Sequence, residues 1–210
     1  MMKDLENQKA LNPGQTGEET AQLVESARHG DRSAFEQLVG LYHADIFRMV
    51  FFRTRSRMDA EDLTQDIFMS AYKSLSQLKD SDRFRPWLYR IAVNRVRDFH
   101  RKQKILSFFG ISEEKLEEEP VDIEAHSNPD ALKKVMRDEF WAHVAELAKR
   151  FSPVEREVFF LRFLDSMSLK EIAEALKKSE SAVKTHLYRA IKKFKDDATF
   201  SKFLEGGWNV

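Results

Sequence analysis

The chain is predicted to be all-α, built as two small helical domains joined by a flexible acidic linker. Three observations carry this prediction. Helical spacing of apolar residues recurs along most of the 210 residues, and strand-like alternation is absent. Ser152 with Glu155 and Ser168 with Glu171 are two capping boxes, each the signature of a new helix. Between two basic segments lies an acidic run, Glu113, Glu114, Glu117, Glu118, Glu119, Asp122 and Glu124, whose self-repulsion opposes compaction. Neither half then exceeds about 90 residues, a size typical of small helical modules.

The elements follow in order. Residues 1–18, with Asn12, Pro13, Gly14 and Gly17, are expected to be unstructured, and a first domain is expected over 19–104. It opens with a short helix near Thr20 to Arg28. After the break at Gly30 and Asp31, Phe35, Leu38, Val39, Tyr42, Ile46, Met49 and Val50 form one stripe of a long helix. Asp59 is a candidate cap for the next helix, whose buried face is Leu63, Ile67, Ala71, Leu75 and Leu78. Pro86 fits the first turn of a third helix, where its missing N–H costs least.

Residues 105–131, with Pro120 and Pro129, are read as the linker, and 132–196 as the second domain. Leu132, Val135, Met136, Phe140, Val144 and Leu147 give an amphipathic helix, and Pro153 sits at the first position of the next. From Ser168 the pattern is helix (Ile172, Ala173, Leu176), polar break (Lys177 to Ser179), helix (Val183, Leu187, Ala190, Ile191, Phe194), which is helix-turn-helix spacing. A tail, 197–210, carries Gly206 and Gly207.

The formal net charge is zero, so segregation of charge is more informative than its sum. With no cysteine there are no disulfides or thiolate metal sites, and no zinc signature occurs; no metal and no cofactor is expected. No apolar run approaches the roughly 20 residues of a membrane span, and Met1 to Glu18 is too polar for a secretory signal. A cytoplasmic protein without membrane insertion is the expectation.

Two basic, aromatic-bearing segments point to nucleic acid. Within Phe84 to Lys104, Trp87, Arg90, Asn94, Arg97 and Arg101 follow steps of three and four and share one helix face, while Leu88, Ile91, Ala92, Val96 and Phe99 take the other. Only Asp98 lies within the stretch to pair with these cations, which makes a polyanion the economical partner. Trp87 with Phe84 and Tyr89 adds stacking surfaces for unpaired bases, at about 1 to 3 kcal/mol per base; for Trp87 the alternative is core packing. On the last helix Ser181, Lys184, Thr185, Tyr188 and Lys192 face away from the apolar stripe, flanked by His186 and Arg189, a set suited to a major groove. The bland alternative is a solvated helix surface; the preceding helix and turn favour DNA. His186 has no second histidine at ligand spacing, so it is not read as a metal site.

The run Asp59 to Asp66 has a different chemistry. Asp62 and Asp66 stand one turn apart, a like-charge pair that costs the helix a few tenths of a kcal/mol. No histidine, metal motif or glycine-rich loop accompanies them as catalytic groups would require, so a basic protein surface is favoured and no enzyme activity is expected. Acids favouring a helix N-terminus explain Glu61 and Asp62 better than Asp66.

The order Ala60-Glu-Asp-Leu-Thr-Gln-Asp-Ile-Phe68, Phe84-Arg-Pro-Trp-Leu-Tyr-Arg-Ile-Ala-Val-Asn94, Ser152-Pro-Val-Glu-Arg-Glu-Val158, then the helix-turn-helix, resembles a bacterial sigma-70 family factor, most similar to the extracytoplasmic function group. The resemblance covers about residues 20 to 195. It implies promoter-directed transcription initiation, with Glu61, Asp62, Gln65 and Asp66 docking on the clamp helices of the polymerase β′ subunit. It further implies that the helix with Trp87, Arg90, Asn94 and Arg97 reads and helps open the −10 element, and that the loop Lys79 to Arg85 holds an extruded base. Lys184, Thr185, His186, Tyr188 and Arg189 would read the −35 element, their domain resting on the β flap, and the linker would run toward the RNA exit channel. An anti-sigma protein covering both domains is the further partner implied. One departure is Lys177, followed by Lys178, where relatives often have glycine at the helix-turn-helix break. Two rival classes are a regulator whose helix-turn-helix binds duplex operators, with a first domain that senses a ligand or forms a dimer, and an adaptor that uses both halves for protein contacts alone.

Overall fold

The computed structural model describes residues 15–108, 144 and 147–196, and every regular element among them is a helix. In chain order these are α1 (Gln15–Arg28), α2 (Arg32–Thr54), α3 (Arg57–Ser74), two 3₁₀ turns (Leu75–Gln77 and Ser81–Arg83), α4 (Phe84–Phe108), α5 (Pro153–Phe163), α6 (Leu169–Leu176) and α7 (Glu180–Lys195). The expected linker beyond Phe108, most of the helix over 132–147 and the expected tail lie outside the described residues.

Local chemistry sets the joints. Gly30, at φ 96°, turns the chain out of α1, and the Asp31 carboxylate accepts the Ala34 N–H at 3.2 Å to start α2. Arg55, left-handed at φ 58°, ends α2 by donating its N–H to the Phe51 carbonyl at 2.8 Å. The next helix is capped by Ser56 and not by Asp59. Ser56 has the extended backbone a cap needs and its hydroxyl accepts from the Asp59 N–H at 3.2 Å, while Asp59 already stands inside the first turn. Helix α1 starts at Gln15, earlier than the expected Thr20, and α4 runs to Phe108, past the expected end at 104. No glycine or proline interrupts Arg101 to Phe108, so propensity carries the helix on.

Both capping boxes form: Ser152 with Glu155 opens α5 and Ser168 with Glu171 opens α6. Lys177 is left-handed, at φ 52° and ψ 48°, and the Lys178 N–H reaches back to the Ala173 carbonyl at 2.9 Å, a Schellman ending. The lysine that replaces the expected glycine therefore adopts the glycine conformation, at roughly 1 kcal/mol.

The two halves do not stand apart as separate heads. One continuous apolar cluster joins Leu38, Ile67, Leu88 and Ala92 of the first half to Val158, Leu161, Met167, Ile172 and Val183 of the second. A second cluster places Phe52 of α2 edge-on to Phe160 of α5, ring centroids 5.0 Å apart, with Val144, Leu147 and Phe151 around them. The reason lies in α4, which carries two buried stripes. Phe84, Leu88 and Ala92 belong to the first, while Tyr89, Val93 and Val96 form the second, on the side of the helix that Arg85 joins to α6.

Candidate polymerase and nucleic-acid interfaces

Helix α3 buries Ala60, Thr64, Ile67, Phe68 and Ala71 and leaves Glu61, Asp62, Gln65 and Asp66 exposed. Glu61 pairs with Arg57 at 3.0 Å, whereas no ion pair among the described residues engages Asp62 or Asp66. Steps of four, three, four and three link Met58, Asp62, Gln65, Met69 and Tyr72, all exposed, so Asp62 and Gln65 lie on a stripe flanked by thioethers and a phenol, with Asp66 beside it. Met58 is 63% and Met69 48% exposed. Sequence reasoning missed these flanking residues. Their signal was available: Met69 and Tyr72 are large apolar residues that fall off the buried stripe of Ile67 and Ala71. A flexible thioether beside a carboxylate suits a partner surface that is basic and partly apolar.

On α4 the expected face divides. Asn94, Arg97 and Arg101 are exposed and Arg90 half-buried, with Arg101 paired to Asp98 at 3.1 Å. The rings are inside: Phe84 is 1%, Trp87 7% and Tyr89 0% exposed. Phe84 meets Tyr42 edge-on at 5.4 Å and Trp87 at 5.8 Å. For Trp87 this arrangement realises the core-packing alternative, and Phe84 and Tyr89, expected as stacking surfaces, are buried with it, because these rings offer the largest apolar areas on a helix packed from two sides. Tyr89 also has the Arg85 guanidinium 5.4 Å over its ring, and burial pushes its hydroxyl far above the usual range.

The loop before α4 is engaged across the two halves. Arg85 donates to the Glu171 carboxylate and to the Asp165 carbonyl, both at 2.7 Å, and Arg83 lies 3.0 Å from Asp80 and 3.8 Å from Glu174. Glu171 is held below its ordinary value; burial works to raise it, and the Ser168 N–H and Arg85 outweigh burial. Beside this contact Val93, Val96, Arg97, His100, Arg156 and Lys178 line a cleft of ≈ 790 Å³.

Helix α7 presents Ser181, Lys184, Thr185, Tyr188, Arg189 and Lys192 to solvent, Tyr188 at 70% exposure, and buries Val183 and Ala190. The Ser181 hydroxyl meets that of Ser179 at 3.0 Å, and Thr185 donates back to the Ser181 carbonyl at 2.9 Å. His186 falls at the edge of this face, half-buried, with Nδ1 enclosed and lacking a hydrogen-bond partner. Lys193 fixes the helix against α5 through the Glu155 carboxylate at 2.6 Å, and this contact, with the Ser152 N–H, holds Glu155 below its ordinary value. The open face can neutralise phosphates and hydrogen-bond base edges. Among the described residues no cluster of His, Cys, Asp and Glu could hold a metal, and no helix is long and apolar enough to cross a membrane.

Comparison with known proteins places both halves. Residues 38–105 match the family model for sigma-70 region 2, and residues 144–194 that for sigma-70 region 4. The chain is similar to the ECF RNA polymerase sigma factor BldN of Streptomyces coelicolor, 31% identical over 81% of this chain and 62% of that protein. It is likewise similar to the RNA polymerase sigma factor NccH of Alcaligenes xylosoxydans xylosoxydans, 30% identical over 80% of this chain and 88% of that one. Among solved structures it resembles CnrH in complex with the cytosolic domain of CnrY, with a TM-score of 0.62, 26% identity, and coverage of 90% of this chain and 99% of that one. Matched in both regions and in order, the chain belongs to the sigma-70 family of RNA polymerase sigma factors, in its extracytoplasmic function group.

Proposed function

We propose that this chain, a cytoplasmic protein without enzyme activity of its own, binds core RNA polymerase and directs it to promoters. In this reading α3 docks on the β′ clamp helices through Asp62, Gln65 and Asp66, with Glu61 beside them and Met58 and Met69 adding apolar contact. Arg90, Asn94, Arg97 and Arg101 of α4 face the −10 element, and the loop Lys79 to Arg85 receives an extruded base. Phe84 and Trp87 act from within by fixing the helix that carries those groups; to stack on a base they would first have to leave the core. Ser181, Lys184, Thr185, Tyr188, Arg189 and Lys192 of α7 read the −35 element in duplex form, with His186 at the edge, while the domain rests on the β flap.

The observation that carries this reading is the exposed, unpaired Asp62 and Asp66, one turn apart on a helix whose opposite side is buried. A like-charge pair weakens its own helix, and a basic partner offsets that cost. The similar protein CnrH is seen bound to the cytosolic domain of CnrY, which supports a partner protein, an anti-sigma factor, for this chain as well. The neutral net charge predicts weak binding to free DNA, so polymerase must supply position and added contacts. Reconstitution tests the proposal: core polymerase with the chain should start transcripts at defined sites, and Asp66→Arg should weaken polymerase affinity at least tenfold with unchanged helix content. Unaltered affinity for Asp66→Arg would remove the docking assignment, and polymerase that stays blind to every start site would remove the function.

A further inference from the structure

The loop Lys79 to Arg85 is fastened to the first domain from α1, a helix with no part in the interfaces described above. Leu78, 6% exposed, and Phe84, 1%, anchor its two ends in the core, and the second 3₁₀ turn spans the gap between them. Within the loop Asp80 sets the shape. Its carboxylate accepts the Asp82 N–H at 3.2 Å, its carbonyl accepts the Arg83 N–H at 3.1 Å, and the Arg83 guanidinium closes on the same side chain at 3.0 Å. None of these three bonds leaves the loop, so they shape it without placing it. Ser81 reaches outward: its hydroxyl donates to Oε2 of Glu25, on α1, at 2.9 Å. The Arg28 guanidinium meets that same oxygen at 2.7 Å and steadies it. Helix α1 is itself fixed, since Val24 and Ala27, neighbours of Glu25, are buried in the cluster that holds Leu78 and Phe84.

Two observations separate this pair from an incidental surface contact. Glu25 stands in the last turn of α1, where the helix dipole disfavours an acid. Its carboxyl is nevertheless held below the ordinary value, by the Ser81 hydroxyl above all and by Arg28. We propose that Glu25 is a positioning residue for the loop that receives the extruded base: by holding Ser81 it fixes the loop against α1. This rests on the proposed role of Lys79 to Arg85. Glu25 touches no base and acts through Ser81 alone. Its contribution falls on discrimination among bases more than on overall binding, because a pocket displaced by a fraction of an ångström still admits a base but ranks the four less sharply. Glu25 is 49% exposed, so water competes for the bond and the effect is modest, roughly fivefold.

The full chain with core polymerase tests this on a promoter set in which each base of the −10 and −35 elements is varied in turn, with transcript yield as the readout. Glu25→Ala should flatten the base preference at one −10 position roughly fivefold, and Ser81→Ala should do the same at that same position. The double variant should lose no more than either single one, since both remove a single bond. Glu25→Gln, which keeps an oxygen to accept from Ser81, should retain more of the preference than Glu25→Ala. Preference within the −35 element, helix content and affinity for core polymerase should match the unmodified chain. A −10 preference that survives Glu25→Ala unchanged overturns the positioning role and leaves the sigma-factor reading untouched. So does a loss in Ser81→Ala alone, which would mean that Ser81 meets the base itself, or an equal loss at both elements, which would mean general destabilisation. An unmodified chain that transcribes yet shows no base preference at any −10 position removes the role of the loop, and the proposal with it.

Discussion

Lys177→Gly is expected to stabilise the protein, and the size of the gain can be worked from the turn it occupies. Lys177 sits at φ 52° and ψ 48° with an exposed side chain, and its N–H and that of Lys178 close the end of α6 on Ala173 and Glu174. A side chain in the left-handed region costs roughly 1 to 2 kcal/mol, which glycine avoids. Against this, glycine adds unfolded-state freedom worth roughly 0.4 to 1 kcal/mol. The net gain is about 0.5 to 1 kcal/mol, or roughly 1 to 4 °C in melting temperature for a folding unit of this size. Far-UV circular dichroism melts would read it directly. Lys178→Gly is the control, since Lys178 does not share the positive φ and glycine there brings entropy cost without strain relief. The reasoning fails if Lys177→Gly leaves the melt unchanged or lowers it, or if both glycines raise it equally. Because the turn geometry is retained, duplex DNA binding through α7 should not change.

Further outcomes follow from the packing and the buried charges. Phe160→Ala removes a ring that contacts Phe52 and Phe159 and lies under the Arg53 guanidinium; a loss of about 3 to 5 kcal/mol is expected, felt by both halves in one transition, and hydrogen exchange that weakens the second half alone would contradict a shared core. Tyr89→Phe should be neutral or slightly stabilising, because the buried hydroxyl has no partner to lose; a denaturant melt showing a loss above about 1 kcal/mol would mean the hydroxyl is bonded. Glu155 and Glu171 are held below the ordinary 4.5, so the stability they contribute is complete above that value and is lost as pH falls through the lowered one. Melting temperature should therefore hold steady from neutral pH down to about 5 and then drop, with a smaller drop in Glu155→Gln; the same acid slope in that variant would refute the assignment.

Much of this fold was readable from local signals. Ser152, Glu155, Ser168 and Glu171 announced two helix starts because a capping box is complete within four residues of sequence, and the Gly30-Asp31 break was equally self-contained. The cap at Ser56 was missed in favour of Asp59, since both residue types serve and only the extended backbone at Ser56 distinguishes them. Harder to read was the role of Phe84, Trp87 and Tyr89: a ring beside arginines looks the same in sequence whether it waits for a base or for a second packed helix. The contact of the halves was not legible at all. Arg53 pairs with residues more than a hundred positions away, and nothing in a local window marks Glu157 or Asp165 as its partners.

Glu171 shows what such a union means for the second domain, since its two carboxylate oxygens serve different halves. One of its carboxylate oxygens accepts the Ser168 N–H at 2.8 Å, inside its own helix, and the other accepts from Arg85 at 2.7 Å, outside it. Division of labour between the two atoms lets the foreign bond break while the domestic one survives. Loss of the Arg85 bond alone would therefore leave the first turn of the helix-turn-helix tied off, with solvent taking the vacated oxygen and no helix end left to fray.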